Sequence, residues 1–181
     1  MSKIKLLILG NSSFAKRRLL PSIKKNKGIE YYVCSKSQKI NPKARILFND
    51  YNQALSLVSP DIVYISLINS LHFMYAKMSL KKGFNVIVDK PITTSLRETK
   101  ELLKIAKRKN LLLSEATLFN YHRVFDKILQ LCNGKKNILH IQSNLNHPLV
   151  KGPKILIKNK GDCEMDMVPY VTSIIRLFTS N

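Results

Sequence analysis

The stretch Phe84-Asn85-Val86-Ile87-Val88-Asp89-Lys90-Pro91 decides how this chain is read. Residues 85–88 have the length and apolar character of a buried strand, and Asp89, Lys90 and Pro91 follow directly. A helix is predicted a few residues later. An open α/β sheet places its chemistry at the C-terminal ends of its parallel strands, and an acid beside a lysine fits such a place. A polar turn closed by proline accounts for the same three residues. What lies on either side separates the two readings.

Upstream, residues 71–82 form a predicted helix closed by Gly83 as a C-terminal cap. Before it comes an apolar strand over 62–67, and before that a short helix over 51–58 stopped by Ser59-Pro60. Residues 45–48 read as a short third strand and 30–34 as a second, with Gly28 in the turn ahead of it. Residues 35–43 are polar and too few for another crossover helix. The run 4–9 is continuously apolar, as for a strand covered on both faces, and Gly10 ends it. A helix then begins near Ser12-Ser13. Phe14, Ala15, Leu19, Leu20 and Ile23 make its apolar side, and Pro21 bends it.

Downstream, Ser95 opens a helix with Glu98 completing a capping box. That helix runs to about residue 109 and is expected to bury Leu102, Leu103 and Ala106. A sixth strand follows over 111–114. Strand and helix alternate through the first 115 residues, which predicts right-handed βαβ units. The fold class is therefore α/β, a doubly wound parallel sheet.

Beyond Glu115 the pattern changes. A helix is predicted over 123–132, a strand over 138–145, a basic loop over 147–160 and a helix over 165–178 around Pro169. One strand and two helices are too little for a second core, so this part reads as a small remnant of a second α+β domain. The strand would expose an apolar face, which favours self-association and leaves room for a homo-oligomer.

Composition sets outer bounds. A 45% hydrophobic content over 181 residues supports one real core. No run of 18 apolar residues occurs, so no membrane helix is expected, and the short apolar N-terminus reads as a strand of a cytoplasmic protein. The net charge is +20, from 31 Lys and Arg against 11 acids. These cations are scattered over predicted solvated helix faces, with no nucleic-acid-binding signature or basic tail, so nucleic acid is the disfavoured partner. Cys34, Cys132 and Cys163 show neither disulfide nor metal-ligand spacing, so free thiols and no metal are expected.

Gly10-Asn11-Ser12-Ser13-Phe14-Ala15 stands where a dinucleotide fold places its glycine-rich turn, backbone N–H groups facing a pyrophosphate at a helix N-terminus. Only the first glycine is present; Ser12 and Ala15 replace the other two. A plain strand-to-helix turn fits equally well. After the second strand, Ser35-Lys36 offers no acid for a ribose 2′-hydroxyl and would favour a 2′-phosphate, hence NADP over NAD if a nicotinamide cofactor binds. His72 falls in the first turn of a helix, a usual place for a surface or capping side chain.

Taken in order, Gly10-x-Ser12-x-x-Ala15, Pro21, Asp61-Ile62-Val63-Tyr64-Ile65, Asn69-x-x-His72, Gly83-x-x-Val86-x-x-Asp89-Lys90-Pro91 and Glu115-Ala116 resemble the glucose–fructose oxidoreductase/inositol dehydrogenase/rhizopine-catabolism (Gfo/Idh/MocA) family. The similarity covers about residues 3–125 and continues weakly over 161–170. It implies a Rossmann dinucleotide-binding domain over 1–118 and a partial substrate or oligomerisation domain over 119–181. It further implies hydride transfer between NADP, with NAD the alternative, and a sugar, sugar nucleotide or polyol. Cofactor contacts would fall on Gly10, Ser12, Ser13, Phe14, Ala15, Ser35, Lys36, Leu67, Asn69, His72, Asp89 and Lys90. Lys90 would polarise the reacting oxygen, Tyr170 would move its proton, and Asp166 would orient or tune the pair. The sequence departs from the pattern at Asp89, where the family has glutamate, and at Val168, where it has glycine. Most of the second domain is missing, so a truncated homologue that binds dinucleotide without catalysis is the alternative.

Overall fold

A computed structural model of the chain describes residues 2–36, 47–48, 50–135, 138, 140–142 and 163–179. The chain divides into two compact units, Met1–Glu115 and Ala116–Asn181.

In the first unit the described strands are β1 (Ile4–Leu9), β2 (Ile29–Cys34), β3 (Leu47–Phe48), β4 (Ile62–Ile65), β5 (Asn85–Val88) and β6 (Leu113–Glu115). They form one parallel sheet in the order β3-β2-β1-β4-β5-β6. The chain winds outward from β1 to β3, returns to the other side of β1 and winds outward again. The two halves part between β1 and β4, the place where such sheets bind ligands. Leu7, Leu9, Val63, Ile65, Val86 and Val88 share one sheet face and pack with Leu55, Leu80 and Leu102 of the helices α2 (Tyr51–Val58), α3 (Asn69–Lys81) and α4 (Leu96–Lys109). Their alternation along each strand is the period of two that a pleated backbone imposes.

Local chemistry explains the ends of the helices. Asp50 caps α2 by accepting the Gln53 N–H at 2.7 Å, and Ser59 leaves the helix at φ +44°. The α3 helix begins at Asn69, two residues ahead of the predicted start, and Gly83 (φ +93°) closes it. There the N–H groups of Gly83 and Phe84 reach back to the carbonyls of Leu80 and Ser79, at 3.0 and 3.1 Å. Ser95 caps α4 through the Glu98 N–H at 3.3 Å, while the Glu98 carboxylate accepts from the Thr94 hydroxyl. Of the expected α4 core residues, Leu102 and Ala106 are buried but Leu103 is 52% exposed. It stands about 100° around the helix from Leu102, and Ile105 takes the inward position instead.

The helix after β1 carries the predicted irregularity as a π-helical turn, Ala15–Leu19, which leads into α1 (Leu20–Lys25). Pro21 has no N–H to offer the carbonyl four residues back, and the Leu20 N–H reaches Ala15 O, five residues back. Ser22 Oγ donates to the Arg18 carbonyl at 2.9 Å. Strands β4 and β6 also differ from expectation. The β4 strand stops at Ile65, although the Ser66 N–H still bonds to Leu9 O at 2.8 Å, and β6 is shifted to Leu113–Glu115.

The second unit holds a 3-10 turn (Leu118–Tyr121), α5 (Arg123–Leu131) and α6 (Cys163–Thr179). His122 caps α5, its Nδ1 accepting the Val124 N–H at 3.2 Å. The rings of Phe125 and Phe178 meet edge to face at 6.0 Å. Of the predicted strand 138–145, residues 138 and 140–142 are described and belong to no strand. Its other positions and the basic loop 147–160 lie outside the described residues.

Candidate functional site

Parallel pairing aligns the strand ends. Leu9 pairs with Ile65, and Ile65 with Val88. The next residue of each strand, Gly10, Ser66 and Asp89, therefore falls in one row across the C-terminal edge of the sheet.

Gly10 begins the row at φ +100°, its N–H donating to Cys34 O at 2.8 Å. A Cβ at this position would lie 2.1 Å from the Ser66 carbonyl oxygen. Only glycine permits this turn to press on β4. Ser12 follows, with its side chain turned inward. Its Oγ accepts the Ala15 N–H at 3.0 Å and lies 2.7 Å from Ser66 Oγ. The hydroxyl is thus drawn away from the surface over the turn, and residue 12 need not be glycine for a ligand to approach the backbone. Ser13 is exposed and Phe14 half-buried in the first helical turn, where N–H groups lack intrahelical acceptors.

Asp89 is the other end of the row. Ser66 Oγ donates to its Oδ2 at 2.6 Å, and the Tyr64 hydroxyl donates to its Oδ1. Burial, and then the Asp89 charge, hold the Tyr64 phenol well above the ordinary tyrosine range. Lys90, half-buried, comes next, and its peptide to Pro91 is cis. The Glu115 carboxylate, at the end of β6, accepts the Ile92 N–H at 2.8 Å and ties down the far side of this loop.

His72 lies fully inside, which corrects its reading as a surface or capping residue. The α3 helix turns this position toward the β5 loop. Nδ1 lies 2.7 Å from Pro91 O, and Nε2 lies 3.1 Å from Leu67 O. Both partners are carbonyls, which only accept; a neutral imidazole carries one N–H and donates to one of them, while the ring sits between the loops after β4 and β5. Replacing His72 with phenylalanine fills much of the space and leaves a buried carbonyl without its donor, at a cost of about 2–3 kcal/mol. A melting temperature lower by roughly 4–12 °C is the expected reading in a circular-dichroism melt.

After β2, Ser35 is buried and Lys36 exposed. Lys36 Nζ stands 5.6 Å from the centroid of the Tyr51 ring, which in turn packs edge-on against Tyr75. Cys34 beneath them is a free, buried thiol, pushed up to about 12 by burial and by the Asp50 charge, and lowered in part by Lys36. Such a thiol is inert. Leu67, between β4 and α3, and Asn69, the first residue of α3, are half-buried. Tyr170, half-buried, and Asp166 belong to α6 of the second unit; the Asp166 side chain lies outside the described residues. Among the described residues no group of three or more His, Cys, Asp or Glu could hold a metal ion, and no helix is long and apolar enough to cross a membrane.

Sequence reasoning named Ser12, His72, Asp89 and Lys90 but passed over Ser66, Tyr64 and Glu115 as site residues. Tyr64 and Ser66 were open to detection. They are two hydroxyls on one face of an aliphatic strand, and buried hydroxyls require partners.

A doubly wound parallel sheet with a glycine turn after its first strand, and a lysine at the rim of the fifth, defines a dinucleotide-binding oxidoreductase fold. Residues 4–117 match the Gfo/Idh/MocA model, described as an oxidoreductase family with an NAD-binding Rossmann fold, and the chain belongs to that family. It is 31% identical over 134 residues to dTDP-3,4-didehydro-2,6-dideoxy-alpha-D-glucose 3-reductase of Saccharopolyspora spinosa, matching 71% of this chain and 40% of the relative. It is 27% identical over 135 residues to D-xylose 1-dehydrogenase (NADP(+)) 2 of Haloferax volcanii, at 72% and 42% coverage. In fold it resembles KijD10, a 3-ketoreductase from Actinomadura kijaniata solved with NADP and TDP-benzene. That likeness has a TM-score of 0.69 and 23% identity over 73% of this chain and 42% of the other. The chain thus spans about two fifths of the length of the curated relatives it matches.

Proposed function

We propose that this chain binds NADP(H) over the Gly10–Ala15 turn and serves hydride transfer between the nicotinamide and a sugar, sugar-nucleotide or polyol oxygen function. The observation that carries this reading is the row Gly10-Ser66-Asp89 along the C-terminal edge of the sheet, with Lys90 the next residue after it. Residues 1–118 are the dinucleotide-binding part, and 119–181 belong to a substrate or oligomerisation part. Asn69, Leu67 and the first-turn backbone of Ser13 and Phe14 line the cofactor path.

Bound NADPH supplies the hydride. Reduction of a carbonyl leaves negative charge on its oxygen, and the Lys90 ammonium lowers the cost of that charge. A proton must then reach the oxygen; the Tyr170 phenol is the donor in this reading, and Asp166, four positions earlier in α6, orients or tunes it. His72 and Glu115 keep the Lys90 loop in place from beneath. The relatives named for reduction of a dTDP-linked keto sugar and for oxidation of D-xylose support the substrate class.

Cofactor choice rests on Lys36. The exposed ammonium at the end of β2 suits a ribose 2′-phosphate, and residues 34–36 include no acid of the kind that receives a 2′-hydroxyl. Titration of the chain into NADPH and NADH, followed by cofactor fluorescence, is the direct test. Lys36→Ala is expected to weaken NADPH by roughly 10- to 100-fold, the worth of one charge-assisted bond, and to leave NADH nearly unchanged. No binding of either nucleotide at millimolar concentration would overturn the proposal. Binding without turnover of any dTDP-keto sugar, aldopentose or cyclic diol would point instead to the binding-only module.

A further inference from the structure

We propose that Tyr64 and Ser66 are positioning residues, and that Ser66 couples the dinucleotide turn to the Lys90 loop through a hydrogen-bond relay with one direction. This deepens the oxidoreductase reading and rests on it for its functional meaning.

The direction follows from counting protons. An ionised carboxylate only accepts, so Asp89 takes the single proton of Tyr64 at Oδ1 and the single proton of Ser66 at Oδ2. Ser66 Oγ, its proton so placed, can only accept from Ser12 across their 2.7 Å contact. Ser12 then has no proton left to offer a ligand, and its oxygen accepts from the Ala15 N–H. Every proton in the series Ser12, Ser66, Asp89 is assigned, and the series crosses three adjacent strand ends, β1, β4 and β5.

Two consequences follow. Ser12, in place of the second glycine of the turn, meets a phosphate through its backbone N–H alone, because its hydroxyl is engaged inward. Asp89, a shorter acid than the glutamate of the family pattern, is held by two hydroxyl donors that fix the start of the Lys90 loop relative to the turn. Raising of the Tyr64 phenol by burial and by Asp89 agrees with a phenol that keeps its proton.

The test is a double-mutant cycle on NADPH affinity. Ser12→Ala and Asp89→Asn do not touch one another, so independent effects would multiply. The relay predicts that each weakens NADPH by roughly 3- to 10-fold, the net worth of one hydrogen bond, and that the double variant is within about twofold of the weaker single one. In a Ser66→Ala background the two substitutions should have little further effect. Losses that multiply, or a Ser66→Ala chain that binds NADPH as the parent does, would overturn the relay.

A second measurement needs no cofactor and does not depend on how well Ser66→Ala folds. A phenol donating to a carboxylate gives a downfield, slowly exchanging hydroxyl resonance in proton NMR. It should be present in the parent chain, absent in Tyr64→Phe and moved upfield in Asp89→Asn. Its absence from the parent, or indifference to Asp89→Asn, would overturn the relay. Failure of the parent to bind NADPH while the resonance behaves as expected would instead strike the oxidoreductase reading.

Discussion

Gly10→Ala is expected to be the most damaging single substitution in the first unit. Two costs combine. The backbone sits at φ +100°, where a side chain is strained, and the new Cβ would lie 2.1 Å from the Ser66 carbonyl oxygen. That oxygen is backbone, part of a turn whose N–H is bonded to Leu9 O at 2.8 Å, so it cannot step aside without disturbing the β1–β4 pairing. Backbone strain and overpacking together cost roughly 3–5 kcal/mol, a fall in melting temperature of roughly 6–20 °C. Gly83→Ala is the matched control. Gly83 has φ +93° with nothing within 4 Å of its would-be Cβ. It should cost about 1 kcal/mol from conformation alone. Equal melting temperatures for the two variants would show that contact with Ser66 is not what makes glycine necessary at position 10.

Lys90→Met is expected to remove the chemistry and spare the scaffold. Methionine keeps most of the apolar stem of a half-buried lysine and deletes the charge. If the ammonium faces the oxygen that becomes negative, kcat falls by roughly 10²- to 10³-fold, as for loss of one preorganised electrostatic contact. NADPH affinity should stay within about threefold, because the phosphates are held at the turn after β1. Steady-state kinetics on the sugar or polyol turned over, with a parallel NADPH titration, separates the two quantities. A kcat reduced by less than tenfold would remove Lys90 from the polarising role. A large loss of NADPH affinity would make it a cofactor ligand instead.

The two substitutions probe different depths of the same edge, and they differ in how far they could be foreseen. Lys90 stood out in the sequence as an isolated cation after an aliphatic strand, beside an acid and a proline. Gly10 was visible as the end of a strand and the first glycine of a tight turn, but not why no other residue fits there. The basis of that restriction is a carbonyl 56 residues away in the chain, brought close by pairing of β1 with β4.

His72 and Leu103 show the limit from the other side. Both lie on helices whose existence was read correctly, yet one was assigned to the surface and is buried, while the other was assigned to the core and is half exposed. Helical periodicity groups residues by face. Which face turns inward by one residue's rotation depends on the neighbours that the helix packs against. The polar clasp of His72 on Leu67 O and Pro91 O could not be read from a lone histidine, because its partners are main-chain atoms that every residue carries.

The sequence by itself determined the α/β alternation, the limits of α2 and β5, the closing glycine of α3, the opening serine of α4, and the family to which residues 4–117 belong. These depend on local steric and hydrogen-bonding preferences and on short-range periodicity, all written along the chain. The tertiary structure alone decided that Ser12, Ser66 and Asp89 meet, with Tyr64 beside them. Strand register is set by long-range pairing, and a slip of one residue would have turned each of these side chains to the opposite face.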